Sequence, residues 1–384
     1  MPPFVGVLSA KSPRLAKEAR HGAPSVVVPM LGRVRAAKSK ADSSLLPSVA
    51  RRNDKFEMAI EDKGRFGWGR AIFYGPICEA IDGARTRYPE PACAETPAPR
   101  TSRRIGIHTS TAGGVHNAAE RAYRIGCNTL QIFSSSPRQW APYELSYPLC
   151  EEMLRLRQRY DLKPLAIHTN YLVNLASTNP LFLKKSIEAF RGEIERALAV
   201  CADYLVLHPG SFRGAEREAG LLQTAAAIAA ATQGLDLAKG GLTILIENTA
   251  GAEFSLGGSF EQVAEVIERL RGMVPIAACI DTCHTHVAGY DMVSEEGIYE
   301  TLRKLDETIG LSQVKVVHCN DAKAARGSKL DRHEHIGKGM IGRQAFRILL
   351  NDLRLAHAAF IAETPIDKPG DDRRNVEALK KLVG

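Results

Sequence analysis

The chain has 384 residues, 45% of them apolar, and a formal net charge of +8. That length suits one large domain or two ordinary ones with a sizeable core, and no run approaches the roughly 20 apolar residues of a membrane span. The basic excess lies in residues 1–103, where 18 Lys and Arg face 10 Asp and Glu, so the rest is neutral overall and can attract a polyanion only through local patches or metal ions.

Residues 1–103 are rich in Ala, Arg, Ser and Pro and show no sustained period. The run "VVVPML" is too short and proline-broken for a signal peptide, and Glu57, Glu61 and Asp62 argue against an acid-poor transit peptide. "PEPACAETPAPRTSRR" reads as a linker. The expectation is a poorly ordered basic extension, rather than a DNA-binding arm, ahead of a single domain over 104–384. The eight cysteines form no C-x-x-C pair, which predicts free thiols and a cytoplasmic location.

From Ile105 a rhythm begins. Short aliphatic runs recur at 105–110 (IGIHTS), 128–133 (NTLQIF), 164–169 (PLAIHT), 204–209 (YLVLHP), 242–247 (LTILIE), 276–281 (IAACID), 314–319 (VKVVHC) and 360–365 (FIAETP). Helical patterns lie between them, among them "AAERAYRI", "PLFLKKSIEAFRGEIERALAV" and "EAGLLQTAAAIAAATQGLDLA". Eight strand–helix units in about 280 residues predict an α/β fold, a (β/α)8 TIM barrel, in preference to a doubly wound open sheet.

Nearly every predicted strand ends in a polar or ionisable residue: His108, His168, His208, Glu247, Asp281, His318 and Glu363. In a parallel barrel all strand C-termini open onto one face, where active sites sit. One strand-end His is more often structural than functional; so many at one mouth are not explained by packing. His108 is left outside the ligand set. Two loops add to it. In "CIDTCHTH" (279–286), His284 lies three residues beyond Asp281, and in "KLDRHEHIG" (329–337), Asp331 and His333 flank Arg332. Alternate positions on extended chain point the same way, so Asp331 and His333 can grip one ion. The candidate ligands are His168, His208, Glu247, Asp281, His284, His318, Asp331, His333 and Glu363. This mixture of imidazole and carboxylate suits zinc, with manganese or iron as alternatives. Nine exceed the demand of one catalytic ion and would serve two or three if a carboxylate bridges. Cys279 and Cys283 are expected to be bystanders.

The motifs "HTSTAGG", "SSPRQW", "HTNYLVNLA", "LVLHPGS", "IENTAG", "CIDTCHTHVAGYD", "HCNDAK", "DRHEHIGKGMIG" and "ETP" resemble, in order, those of the endonuclease IV family of apurinic/apyrimidinic (AP) endonucleases. The resemblance covers about 105–384 and leaves the first hundred residues without a counterpart. It implies three zinc ions: one on His168, His208 and Glu247; one on Glu247, Asp281, His318 and Glu363; one on His284, Asp331 and His333. It implies that Glu247 is catalytic, and that metal-activated water cuts duplex DNA 5′ to an abasic site, leaving a 3′-hydroxyl and a 5′-deoxyribose phosphate. Trimming of blocked 3′ ends is implied too. Arg138 and Gln139 after the second strand, and Tyr171 and Leu172 after the third, would enter the minor groove as wedges at the damaged site. The protein would act as a monomer, with no membrane partner. The rival reading is a metal-dependent sugar isomerase or epimerase on the same barrel. "DRHEH", which supplies an extra metal position, and the Arg138 and Tyr171 loops argue against it.

Overall fold

The structure, a computed structural model, describes residues 101–140 and 145–384. The expected basic extension lies, up to residue 100, outside the described residues. Seven strands come first: β1 (Arg104–His108), β2 (Thr129–Phe133), β3 (Leu165–His168), β4 (Tyr204–Leu207), β5 (Thr243–Glu247), β6 (Ile276–Asp281) and β7 (Val314–His318). A small antiparallel hairpin follows, β8 (Asp321–Ala322) with β9 (His333–Glu334), and then β10 (Ala359–Ala362). Strands β1 to β7 and β10 close a parallel barrel, with β10 pairing back to β1. Closure excludes the open doubly wound sheet.

The helices follow the strands: α1 (Asn117–Arg124), α2 (Tyr147–Tyr160), α3 (Pro180–Ala199), α4 (Arg217–Thr232), α5 (Phe260–Leu270), α6 (Thr282–Ala288), α7 (Glu295–Thr308), α8 (Arg343–Asn351) and α9 (Asp371–Lys380). Helix α3 starts where Asn179 Oδ1 accepts from Phe182 N at 3.0 Å, with Pro180 in its first turn. Helix α5 buries Phe260, Val263, Val266, Ile267 and Leu270, the stripe an amphipathic helix lays on a sheet. The pattern "EAGLLQTAAAIAAATQGLDLA" runs through residue 238 in the sequence, but α4 stops at Thr232. The chain turns at Gly234 with φ of 76°, a backbone state that ends a helix and that other residues rarely adopt.

Strand parity places the site. Ala166, Val206, Leu245, Cys279, Val316 and Ile361 form a small buried cluster inside the barrel. Their neighbours Ile167, Leu207, Ile246, Ile280, Val317 and Phe360 belong to the larger core beneath the helices. Successive side chains alternate between faces. The residues two positions beyond the inner set therefore point along the same axis, at the mouth: His168, His208, Glu247, Asp281, His318 and Glu363. Each buried Leu, Ile or Val contributes about 1.5–3 kcal/mol, so slipping a strand by one residue would cost core contacts as well as ligands.

The residue ahead of β1 is already tied to the barrel. Arg103 is buried; its Nη2 donates to Asp352 O at 3.2 Å, and its carbonyl accepts from Asn128 Nδ2 at 2.8 Å. Cys127, Cys150, Cys279, Cys283 and Cys319 are free thiols. Cys201 departs from the expectation of free thiols and is disulfide-bonded. No helix among the described residues is long and apolar enough to cross a membrane.

Candidate metal centre

The nine candidate ligands meet in three groups. Donor atoms of His168, His208 and Glu247 lie within 4.8 Å of one another. So do those of Glu247, Asp281, His318 and Glu363, and those of His284, Asp331 and His333, all within the same 4.8 Å. Glu247 belongs to the first two groups and is fully buried at the end of β5. Its Oε2 is 3.1 Å from both His168 Nε2 and His208 Nε2. Its Oε1 is 2.9 Å from His318 Nδ1 and 3.4 Å from His284 Nδ1. Asp331 offers Oδ2 to His284 Nε2 at 3.2 Å and Oδ1 to His333 Nε2 at 3.3 Å.

His284 is on a helix, not in a loop as its spacing suggested. Asp281 caps α6, its Oδ1 accepting from His284 N at 2.8 Å, so the first turn of the helix sets the spacing of the two side chains. Asp331 and His333 are carried by the chain that enters β9. That segment is anchored from below by the buried Asp321 carboxylate. It accepts from the amides of Gly337 at 2.9 Å, Gly339 at 3.1 Å and Ile341 at 2.9 Å. A Cβ at Gly339 would come within 2.4 Å of Ala322 O, so the wrap around Asp321 requires glycine there.

The imidazoles are oriented as metal ligands usually are, one ring nitrogen donating to an oxygen and the other left for the ion. His168 Nδ1 donates to Thr169 O at 2.7 Å, His284 Nδ1 to Asn248 O at 2.9 Å and His333 Nδ1 to Glu363 O at 3.0 Å. His318 Nε2 faces Gln131 Oε1 at 2.9 Å. A carbonyl oxygen can only accept, so the other nitrogen of each ring is turned toward a carboxylate, and in His284 the Nδ1 also lies 3.4 Å from Glu247 Oε1. His333 Nε2 is buried and faces the carboxylates of Asp331 at 3.3 Å and Asp281 at 3.7 Å.

Charge makes the same case. Among the described residues no Lys or Arg pairs with the side chains of Glu247, Asp281, Asp331 or Glu363; only imidazoles do. Burial by itself would raise the Glu247 carboxyl, but His318, His208 and His168 hold it well below the usual range. Burial likewise opposes ionisation of Glu363, which His318 and His108 hold low. Against burial, Glu363 and Glu247 push His318 well above its ordinary value, Asp281 and Asp331 do the same for His284, and His333 rises to about 9. Protonated imidazoles thus balance the carboxylates when no other cation is present, and divalent ions fit by displacing those protons. The donor set fits zinc.

Cys279 and Cys283 also fall within reach, in groups with Glu247 and His318 and with Asp281 and His333. Burial pushes both thiols up to about 12, and Cys283 Sγ donates to Arg332 O at 3.7 Å. Protonated thiols are poor ligands.

Sequence reading missed three amides. Gln131 faces the mouth from β2, donating to Glu363 Oε1 at 2.6 Å as well as accepting from His318. Asn320 donates to Asp281 Oδ2 at 2.6 Å and to Glu363 Oε2 at 3.3 Å. Asn248 Oδ1 accepts from Asp281 N at 2.7 Å. The available signal was a lone Gln inside the apolar strand "TLQIF", where a buried amide needs partners. His108 joins none of the three groups; its Nδ1 lies 3.2 Å from Glu363 Oε1 and 3.0 Å from Gln131 Nε2.

At the rim, Arg138, Gln139 and Tyr171 are exposed and Leu172 half-buried. Tyr171 N donates to Pro137 O at 3.1 Å, which puts the two loops side by side. Trp140 leans on α3, edge-on to Phe182 at 5.3 Å.

Residues 119–382 match the family of xylose isomerase-like TIM barrels. A probable endonuclease 4 from Solibacter usitatus is 47% identical over 283 residues, covering 73% of this chain and 97% of that protein. Among solved structures, endonuclease IV from Thermus thermophilus superposes with a TM-score of 0.64 at 35% identity, over 73% of this chain and 98% of that one. A D-tagatose 3-epimerase-like protein superposes with a TM-score of 0.56 at 20% identity, over 72% of this chain and 96% of that one, a likeness of fold alone.

Proposed function

The chain belongs to the endonuclease IV family, and from that premise we propose that it is a zinc-dependent AP endonuclease of base excision repair. It hydrolyses the phosphodiester 5′ to an abasic site in duplex DNA and leaves a 3′-hydroxyl and a 5′-deoxyribose phosphate. Trimming of blocked 3′ ends uses the same site. The observation that carries this reading is the convergence of nine imidazole and carboxylate donors into three groups, two of them sharing Glu247.

His168, His208 and Glu247 would hold one ion; Glu247, Asp281, His318 and Glu363 a second; His284, Asp331 and His333 a third. Zinc suits all three, with manganese or iron an alternative at one. Bound there, such ions polarise the phosphate, acidify water and stabilise the leaving oxygen. The chain does the rest. The four carboxylates set the charge of the site, and Asn320 and Gln131 fix the carboxylate of Glu363 so that it cannot swing away. Arg138 and Tyr171, exposed on adjacent loops, would insert beside the lesion, with Gln139 and Leu172 lining the groove. Unstacking costs a few kcal/mol and least at a damaged site, which favours abasic DNA over intact duplex. A sugar epimerase has no use for a third donor group or for these rim residues, and the epimerase-like neighbour supports no more than the barrel.

The test is a duplex with one abasic site. Gel mapping should place the cut on its 5′ side, a polymerase should extend the product without end repair, and metal-replete protein should hold about three equivalents by elemental analysis. Borohydride trapping of a Schiff base, a 3′-side cut, or activity undiminished by a chelator would refute it. Among the described residues, the lysine whose pKa burial lowers speaks against a lyase. Lys380 has its pKa lowered by burial, but its Nζ donates to Gly126 O, ahead of β2 at the opposite end of the barrel.

A further inference from the structure

Glu193 on α3 is only 1% exposed. Its carboxylate accepts from the Ser134 hydroxyl, from Ser135 Oγ at 3.3 Å and from Asn170 Nδ2 at 3.3 Å. It pairs with Arg196 Nη2 at 3.2 Å, and Arg196 Nε donates to Ser134 Oγ at 2.9 Å. Ser134 and Ser135 open the loop after β2; Asn170 opens the loop after β3. These are the loops that carry Arg138 and Tyr171. Asn170 Oδ1 also accepts from Leu172 N at 3.0 Å, so the amide held by Glu193 shapes the turn at Tyr171. The Tyr171 N to Pro137 O bond joins the loops a second time.

A buried carboxylate costs several kcal/mol unless paired and fully hydrogen-bonded. An apolar side chain at this point of α3 would pack the helix without that cost. What the ion pair adds is a fixed relation between two loops that otherwise diverge from different strands.

We propose that Glu193, with Arg196, is a positioning residue that sets the spacing and angle of Arg138 and Tyr171 and so determines affinity for abasic duplex and its discrimination from intact duplex. This rests on the DNA reading of those loops. Glu193 touches neither substrate nor ions in this scheme, so its effect should appear in DNA recognition and not in metal chemistry.

The experiment compares Glu193→Ala and Glu193→Gln with the Arg138→Ala/Tyr171→Ala double variant, all as metal-replete full chains. Dissociation constants for abasic and intact duplex are measured by gel shift. Metal content and hydrolysis of bis(p-nitrophenyl) phosphate, which is too small to need the loops, serve as controls. With the two loops no longer held at a fixed spacing, Glu193→Ala should weaken abasic-duplex binding about tenfold, equivalent to about 1.4 kcal/mol, and erode discrimination, while metal content and small-substrate hydrolysis stay within about twofold. Adding Glu193→Ala to the double variant should change little more, because coupled residues are non-additive. If Glu193→Ala does not fold, Glu193→Gln should show a smaller change in the same direction. Binding within twofold of the parent, parallel loss of metal or small-substrate hydrolysis, or full additivity would overturn the proposal. If the double variant binds normally, the DNA reading of the loops falls, and this assignment with it.

Discussion

Glu247→Gln removes one charge with almost no change in volume. The side chain has four imidazole nitrogens within 2.9 to 3.4 Å and belongs to two of the three donor groups. Two unit charges about 3 Å apart interact by roughly 5 kcal/mol at an effective dielectric of about 20. If about 4 kcal/mol of that is felt in the transition state, the rate falls about 10³-fold. The glutamine also turns an amide NH2 toward an imidazole nitrogen that should face an ion, so the bound metal should fall from about three equivalents towards one. Affinity for abasic duplex should stay within about fivefold, since the exposed Arg138 and Tyr171 lie on other loops. Single-turnover cleavage with excess enzyme, gel shift and elemental analysis of the same sample check the three statements. Turnover within tenfold of the parent, with the ions still bound, would show that the reaction is organised elsewhere.

Metal-free protein should respond to pH through its imidazoles. The pKa of His333 is raised to about 9 in the folded state, so its contribution to stability is fully present below about 6.5 and is lost as pH rises through about 9. His284 and His318 are raised well above their ordinary value and act in the same direction. Chelator-treated protein should therefore have a lower Tm at about pH 9.5 than at about pH 6.5, and zinc-loaded protein should lack that drop because the ion replaces the protons; a Tm that climbs across this window in the chelated sample would contradict the charge balance. Removing residues 1–100 should leave abasic-site cleavage within about threefold and weaken binding to intact duplex only at low salt, because the segment's basic excess acts by screened, sequence-independent attraction. The cut is placed ahead of Arg103, whose side chain is buried against Asp352; a truncated protein that fails to fold or to cleave would make the extension integral.

How much of this was legible in the sequence depends on whether a residue's meaning is local. The barrel and its mouth were legible because a two-residue alternation in short aliphatic runs is enough to say which side chains share a face. His168 follows Ala166, and Glu247 follows Leu245, in the sequence as in the fold. The Asp331 and His333 pair was legible for the same reason. What could not be read was the supporting polar layer. Gln131 acquires partners only when β1 and β2 pair with His108 opposite Gln131, and when β10 closes the barrel to bring Glu363 alongside. Asn320 and Asn248 sit in loops that sequence alone treats as turns. Glu193 is the sharpest case: in "RGEIER" it reads as one more charge on a solvated helix face, yet it is among the most buried groups of α3. Its burial follows from two loops, 134–139 and 170–172, folding over the helix from separate strands, and no window of sequence contains all three. The donors that converge at the mouth were therefore legible in the sequence, and the groups that hold them and the rim loops in place were not, because a metal-liking side chain is recognised by its own chemistry and a supporting one only by its neighbours.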